Sequence, residues 1–176
     1  MRNVPYNTVI VDASPLISCL KIDRFELLEV FGCAPTCLNH VKSELTYFGH
    51  EEQLSKLIDA GRVLEAILDT PQLLREFADL HGNRTSLGLG ECAAIIYAQN
   101  RSLPLVIADK AAINEAKRRR IQCVTTEEVV VLNIQRGSLT LTEADRLLEQ
   151  WRAANEGVTQ VRSFSEQWKT VHTKER

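Results

Sequence analysis

Four carboxylates stand where a folded chain tends to place chemistry. Asp12 ends the short β-branched run Thr8-Val9-Ile10-Val11, and Asp109 ends the apolar run Leu103-Pro104-Leu105-Val106-Ile107-Ala108. Such runs, with no polar break, read as strands buried on both faces of a parallel sheet. Glu44 falls on the first turns of a helix predicted after Asn39, and Glu91 opens a helix predicted through Cys92-Ala93-Ala94-Ile95-Ile96-Tyr97-Ala98. In an open parallel sheet, strand ends and the helix starts that follow them lie at one edge, where ligands bind. The four acids can therefore share a pocket. Carboxylates so close cannot all ionise without a cation, because each raises the pKa of its neighbours. An all-oxygen donor set suits Mg²⁺ or Mn²⁺, and such a site polarises a phosphate and activates water without a nucleophilic serine or cysteine.

The rest of the pattern consists of elements that would position these acids. Ser14-Pro15 reads as a helix start, since a hydroxyl caps free amides and proline there leaves no N–H unpartnered. Helices are predicted over 15–20, over 25–31 with Gly32 closing, over 40–47, over 51–60 with Gly61 closing, and from Thr70-Pro71 through Leu80. A short strand is predicted over 34–38, whereas 63–68 fits strand or helix equally. Gly88 and Gly90 read as a tight turn before Glu91. Further on come a helix over 111–120, a last strand over 121–124, a helix capped by Thr125-Thr126, and an amphipathic helix from Thr142 through Trp151. From Asn155 onward the chain is polar and weakly patterned and reads as a tail. Alternating strands and helices predict an α/β fold, a three-layer α/β/α sandwich with a central parallel sheet. The expected division is a core domain over 1–137 and a C-terminal helix with polar tail over 138–176.

Composition sets the outer bounds. A chain of 176 residues, 44% hydrophobic and 25% charged, suits one globular domain with a real core. A net charge of -2 gives no global attraction to polyanions, so one would need a metal or a local basic patch. Lys110 and the run Lys117-Arg118-Arg119-Arg120 are the candidates for phosphate contact, although cations in a last helical turn also answer the helix dipole. The five cysteines have no disulfide spacing and suit reduced, mostly buried thiols, hence a cytoplasmic location. Cys33, Cys37 and His40 do not complete a zinc ligand set. His50, His81 and His172 join no constellation; Asp23, Asp59, Asp69, Asp79 and Glu115 read as caps or solvated helix faces; Trp151 and Trp168 read as packing residues. No run is long and apolar enough to predict a membrane span or a signal peptide.

Four stretches together resemble the PIN-domain ribonucleases: Val9-Ile10-Val11-Asp12-Ala13-Ser14-Pro15-Leu16-Ile17, Val41-Lys42-Ser43-Glu44-Leu45, Leu87-Gly88-Leu89-Gly90-Glu91-Cys92, and Ile107-Ala108-Asp109-Lys110. They occur in the family's order over roughly 7–135. The resemblance implies a parallel-strand sheet and Mg²⁺- or Mn²⁺-dependent cleavage of RNA. It further implies metal-holding and catalytic acids at Asp12, Glu44, Glu91 and Asp109, with Ser14 as the supporting hydroxyl. Many members are toxins of toxin–antitoxin pairs, so an antitoxin protein and a homodimer are the partners it implies. No second aspartate directly follows Asp109, which favours one ion over two. Two other readings use the same acids: a PIN-like binding module without catalysis, and a Mg²⁺-dependent phosphatase-like enzyme. The latter usually needs an aspartate two residues after its nucleophile, where this chain has Ser14.

Overall fold

Val9, Ile10 and Val11 are fully excluded from solvent, as are Leu105, Val106 and Ile107, because both runs lie inside a sheet covered on both faces. A computed structural model describes residues 7–47, 49–154 and 161–173. Five parallel strands form the sheet: β1 Val9–Val11, β2 Pro35–Leu38, β3 Leu64–Ala66, β4 Leu105–Val106 and β5 Cys123–Val124. Their order is β3-β2-β1-β4-β5. Val9 lies opposite Pro35, while Ile10 pairs with Thr36 on one side and Leu105 on the other. The chain therefore lays strands outward in one direction from β1, then returns to build in the other. That reversal opens a crevice at the carboxyl ends of β1 and β4, the strands that lead into Asp12 and Asp109.

Among the described residues the helices are α1 Ala13–Lys21, α2 Asn39–Tyr47, α3 Glu51–Asp59, α4 Pro71–Asn83, α5 Leu89–Arg101, α6 Lys110–Arg118, α7 Thr126–Gln135, α8 Leu141–Ala153 and α9 Phe164–Thr173. The three-layer α/β/α arrangement expected from the alternating pattern is what forms. Helix α5 lies closest to the sheet because Cys92, Ala93, Ala94 and Ala98 are small and wholly buried, with Ile95 and Ile96 filling the space between them.

Several local readings change. Helix α1 begins at Ala13 with Asp12 at its N-cap position, so Ser14 is an exposed residue of the first turn and not the cap. Pro15 still falls among the N-terminal amides that need no intrahelical partner. Residues Phe25–Phe31 form a 3-10 helix that closes on Gly32 at φ 73°. Residues 63–68, open between strand and helix, supply the edge strand β3. An edge strand has one neighbour and incomplete cover, and Leu64 at 45% exposure leaves it without the burial signal of β1.

The polar tail is also corrected. Residues 155–160 and 174–176 lie outside the described residues, but Phe164–Thr173 is helical and Phe164 is buried. The contacts that order it are long-range: the Asp145 carboxylate on α8 accepts the amide N–H of Phe164 and the hydroxyl of Ser163. Helix α8 itself begins at Leu141 behind Thr140, whose hydroxyl accepts Glu143 N–H while Glu143 accepts Thr140 N–H. Its buried residues Ala144, Leu147, Leu148 and Trp151 join the same core cluster as the sheet, so the boundary expected at 137 lies between elements that share one core. Trp151 Nε1 donates to the Ser18 carbonyl of α1 at 2.9 Å, tying α8 to the helix that follows Asp12.

Trp151→Phe keeps most of the ring volume but removes the hydrogen bond from the indole to the Ser18 carbonyl. The expected cost is about 1–3 kcal/mol. Trp151→Ala adds a cavity, for about 3–5 kcal/mol. Both are read from urea unfolding and should shift one transition; a separate early transition of α8 alone would show that it lies outside the cooperative unit.

Candidate active site

Each acid reaches the crevice by a different local device. Asp12 follows β1 directly; its amide donates to the Val106 carbonyl at 3.0 Å, which continues the β1–β4 ladder by one residue. Burial of that ladder leaves Asp12 only 1% exposed. Its Oδ1 has no hydrogen-bond partner, and its side chain makes no cap bond to α1. Glu44, one turn into α2, is half-buried, and its Oε1 accepts the Gly90 amide at 3.1 Å. Glu91, third residue of α5, turns back so that Oε2 accepts the Gly88 amide at 2.9 Å. Asp109 is the N-cap of α6, its Oδ1 accepting Ala112 N–H at 2.8 Å. Three of the acids thus satisfy orphan amides at helix starts with one oxygen, which positions them at the positive ends of helix dipoles.

The acids sense one another. Burial, then the charges of Glu91 and Glu44, push the Asp12 carboxyl up to about 7, against a smaller downward pull from the Ala13 and Ser14 amides. Burial raises Glu91 as well, the Gly88 amide lowers it, and Asp109 and Glu44 raise it further. Glu44 is raised by burial and eased by the Gly90 amide. Asp12, Glu44, Glu91 and Asp109 therefore occupy one electrostatic neighbourhood.

Gly90 has a role other than the turn expected of it. Neither Gly88, at φ -69°, nor Gly90 adopts a left-handed conformation. A Cβ on Gly90 would instead collide with Glu44 Oε1 and crowd its carboxyl carbon. Glycine there leaves the place of a side chain to the Glu44 carboxylate, which would have to move to make room for a methyl. Among the described residues, no hydrogen bond links the Ser14 hydroxyl to an acid; Ser14 offers its carbonyl to Ser18 Oγ.

The candidate cations separate into groups. Lys110, exposed, sits beside Asp109 at the start of α6. Lys117 is exposed near Cys123, whose thiol it pulls down against burial. Arg118 and Arg119 turn back onto Glu115, which is 5% exposed and no solvated helix face: Arg118 donates from Nε and Nη2 at 2.7–3.0 Å, Arg119 from Nε at 2.7 Å. Arg84, from the segment before α5, completes the group at 3.3 Å. Arg118 first, and then Arg119, hold the Glu115 carboxyl down at about 2 against the opposing effect of burial. The spacing of Glu115 to Arg118 and Arg119 was visible as a helical three- and four-residue pair; nothing in the local sequence marked Arg84. All five cysteines are unpaired, and burial raises the Cys37 thiol to about 11.

Among the described residues, no three His, Cys, Asp or Glu side chains close tightly enough to hold an ion in this arrangement. The fit to a cation rests on the donor chemistry. Asp12 supplies a buried oxygen with no partner, and the second oxygens of Glu44, Glu91 and Asp109 make no hydrogen bond among the described residues. This is the hard, all-oxygen set that Mg²⁺ or Mn²⁺ prefers.

Comparison with known proteins agrees with the fold. The model of the DUF3368 family, described as a PIN domain, matches residues 8–161. This chain belongs to the PIN-domain family. PIN domains are typically nucleases and generally use divalent metals. A PilT N-terminus domain protein from the hyperthermophilic archaeon Sulfolobus solfataricus P2 is similar in structure, with a TM-score of 0.49 and 18% identity over 69% of this chain and 89% of that one. No curated protein matches the chain.

Two outcomes follow from this geometry. Gly90→Ala would normally strengthen a helix, but here the methyl displaces Glu44; the variant is expected to stay folded by circular dichroism and to lose about tenfold or more in metal affinity, read by calorimetry. The second concerns Asp12. With its pKa raised to about 7, the folded chain holds a proton that an unfolded aspartate releases near pH 4, so stability falls as pH rises through that window. Metal-free Asp12→Asn is expected to be more stable than the parent at pH 8, by on the order of 2–4 kcal/mol, with the gap closing below pH 4. Equal denaturation curves at pH 8 would contradict the buried, raised carboxyl.

Proposed function

We propose that this chain is a Mg²⁺- or Mn²⁺-dependent endoribonuclease that hydrolyses RNA phosphodiester bonds at Asp12, Glu44, Glu91 and Asp109. The observation that carries the reading is the Asp12 carboxylate, buried with Oδ1 unpartnered beside two further acids, in a family whose members are typically nucleases. A buried carboxylate oxygen with no partner is costly unless a ligand completes it. When bound, a hard divalent ion would polarise the scissile phosphate and supply a water of lowered pKa. Asp12 would hold it from the sheet, and Glu44, Glu91 and Asp109 from the helix starts. A carboxylate with a raised pKa is suited to accept the proton of the attacking water, and burial gives Glu91 and Glu44 that property. Lys110, exposed beside Asp109, would steady the phosphate from the rim, and Ser14 would line the mouth.

The wider role in this reading is that of a toxin in a toxin–antitoxin pair, acting in the cytoplasm, with an antitoxin protein and a second copy of the chain as partners. Exposed apolar side chains at Leu64, Ile67 and Leu74 are consistent with a protein partner. Among the described residues no helix is long and apolar enough to cross a membrane. One observation favours a second reading, a PIN-like module that binds without cutting: three of the four acids are already engaged with backbone amides.

Incubating the chain with a pool of structured RNAs in Mg²⁺, Mn²⁺ or EDTA separates the two. The nuclease reading expects metal-dependent cutting that falls about 100-fold or more in Asp12→Asn, since even outer-shell changes cost 10–100-fold. Cutting that persists in EDTA or in the variant overturns the assignment. Folded protein that binds RNA equally with and without metal and never cuts it supports the binding module.

A further inference from the structure

The Glu115 cluster borders a cavity of about 290 Å³ between the segment before α5 and one face of α6. One wall carries Arg84, Ser86 and Leu87; the other is the helical stripe of Ala111, Asn114 and Arg118, with Glu115 among them. Leu87 immediately precedes Gly88, whose amide holds Glu91, and Ala111 lies two residues beyond Asp109. Two of its lining residues are therefore chain neighbours of the positions that hold Glu91 and Asp109, although none of the four acids lines the cavity itself. Arg118 lies seven residues farther along α6, about 10 Å at the helical rise.

A structural ion pair would need only one arginine on Glu115. Here one carboxylate meets three guanidinium groups, leaving two positive charges in excess. Arg119 is committed inward, its Nη1 on Gln99 Oε1 at 2.7 Å. Arg84 and Arg118 are the exposed pair, at 46% and 59%. Glu115 accepts hydrogen bonds from Arg118 Nε and Nη2 and pairs by charge with Arg84 Nε at 3.3 Å, leaving Nη1 of Arg118 and both Nη atoms of Arg84 without a protein partner among the described residues. Guanidinium groups held this way lose little freedom on binding a phosphate, which they suit by geometry. Exposed Asn114 and Ser86 add neutral donors.

We propose that this cavity holds the RNA strand next to the scissile bond, with Arg84 and Arg118 gripping its phosphates; the assignment rests on the nuclease reading. At about 3.4 Å per stacked nucleotide, about three nucleotides span the stripe. An acidic peptide would meet the same arginines, but it gains nothing from extending into four carboxylates, whereas a strand whose phosphate reaches those acids has this cavity as its continuation.

The test is fluorescence anisotropy of a labelled single-stranded 12-nucleotide RNA of mixed sequence, in EDTA, between 50 and 200 mM salt (roughly the range over which phosphate contacts show). The parent is compared with Arg84→Ala, Arg118→Ala, the double variant, and Arg75→Ala on exposed α4 as control. Arg84→Ala leaves Glu115 both of its closer arginines, so its fold is safe. Each single variant is expected to bind about three- to tenfold more weakly, and the double variant to show a salt slope shallower by about 1.4, with Arg75→Ala unchanged. An unaltered slope in the double variant overturns the proposal. So does binding of an eight-residue glutamate peptide through these arginines with no RNA binding. Cleavage plays no part in this readout: a chain that binds as expected but cuts nothing in metal keeps the groove and loses the nuclease reading, whereas one that cuts while its slope ignores both arginines does the reverse.

Discussion

A buried carboxylate at the end of the central, fully buried strand is the constraint on which the rest of this molecule depends. Asp12 cannot leave the interior, because its amide extends the β1–β4 ladder and the strand before it is wholly excluded from solvent. Water is therefore denied to a group that ordinarily relies on it. The surrounding helix starts do not remedy this. Their amides are taken by Glu44, Glu91 and Asp109, so the helix dipoles steady three acids while Asp12 keeps an unpartnered oxygen. The interior thus concentrates negative charge around its least solvated member, an arrangement that is relieved by a proton on Asp12 or by a bound cation.

Close packing follows from the same requirement. Glu44 reaches across from α2 to the first turn of α5, and its carboxylate occupies the space that a side chain at position 90 would take. Gly90 provides the gap, and the small buried residues behind it let α5 settle against the sheet. On the far side of β1, α1 is held by Trp151 of α8, so an indole more than a hundred residues away helps fix the helix that begins at Asp12. The C-terminal helices serve the site by holding its floor rather than by touching it.

What could be read from the chain alone divides along physical lines. The β1 and β4 runs, the acids that end them and the alternation of elements were legible because complete burial leaves a plain apolar signature. Strand β3 was not, since an edge strand with an exposed Leu64 has neither period. Helix α9 was missed because its order comes from Asp145 on another helix, a contact of high sequence separation. The glycines were correctly placed beside Glu91 but for the wrong reason: local sequence suggests a backbone role, and only the fold reveals that the place of a Cβ is taken. Arg84 shows the same limit, because its partner lies thirty-one positions along the chain.

Glu115 and Asp12 show how little burial alone determines. Both are nearly inaccessible, at 5% and 1%, yet one carboxyl is held down at about 2 and the other pushed up to about 7. The difference is their company. Arginines surround Glu115 and hydrogen-bond it from several atoms, so its charge is satisfied by the protein and its surplus positive field is turned outward. Asp12 has acids beside it and a missing partner, so its demand remains to be met by something that binds. The chain's net charge of -2 conceals this division between a cationic cluster and an anionic site. A polyanion approaching from solution would be repelled by the acids unless they held metal, and attracted by the arginines whether they did or not. Capture by the cluster and commitment at the acids can then be separate events, with the ion required only for the second.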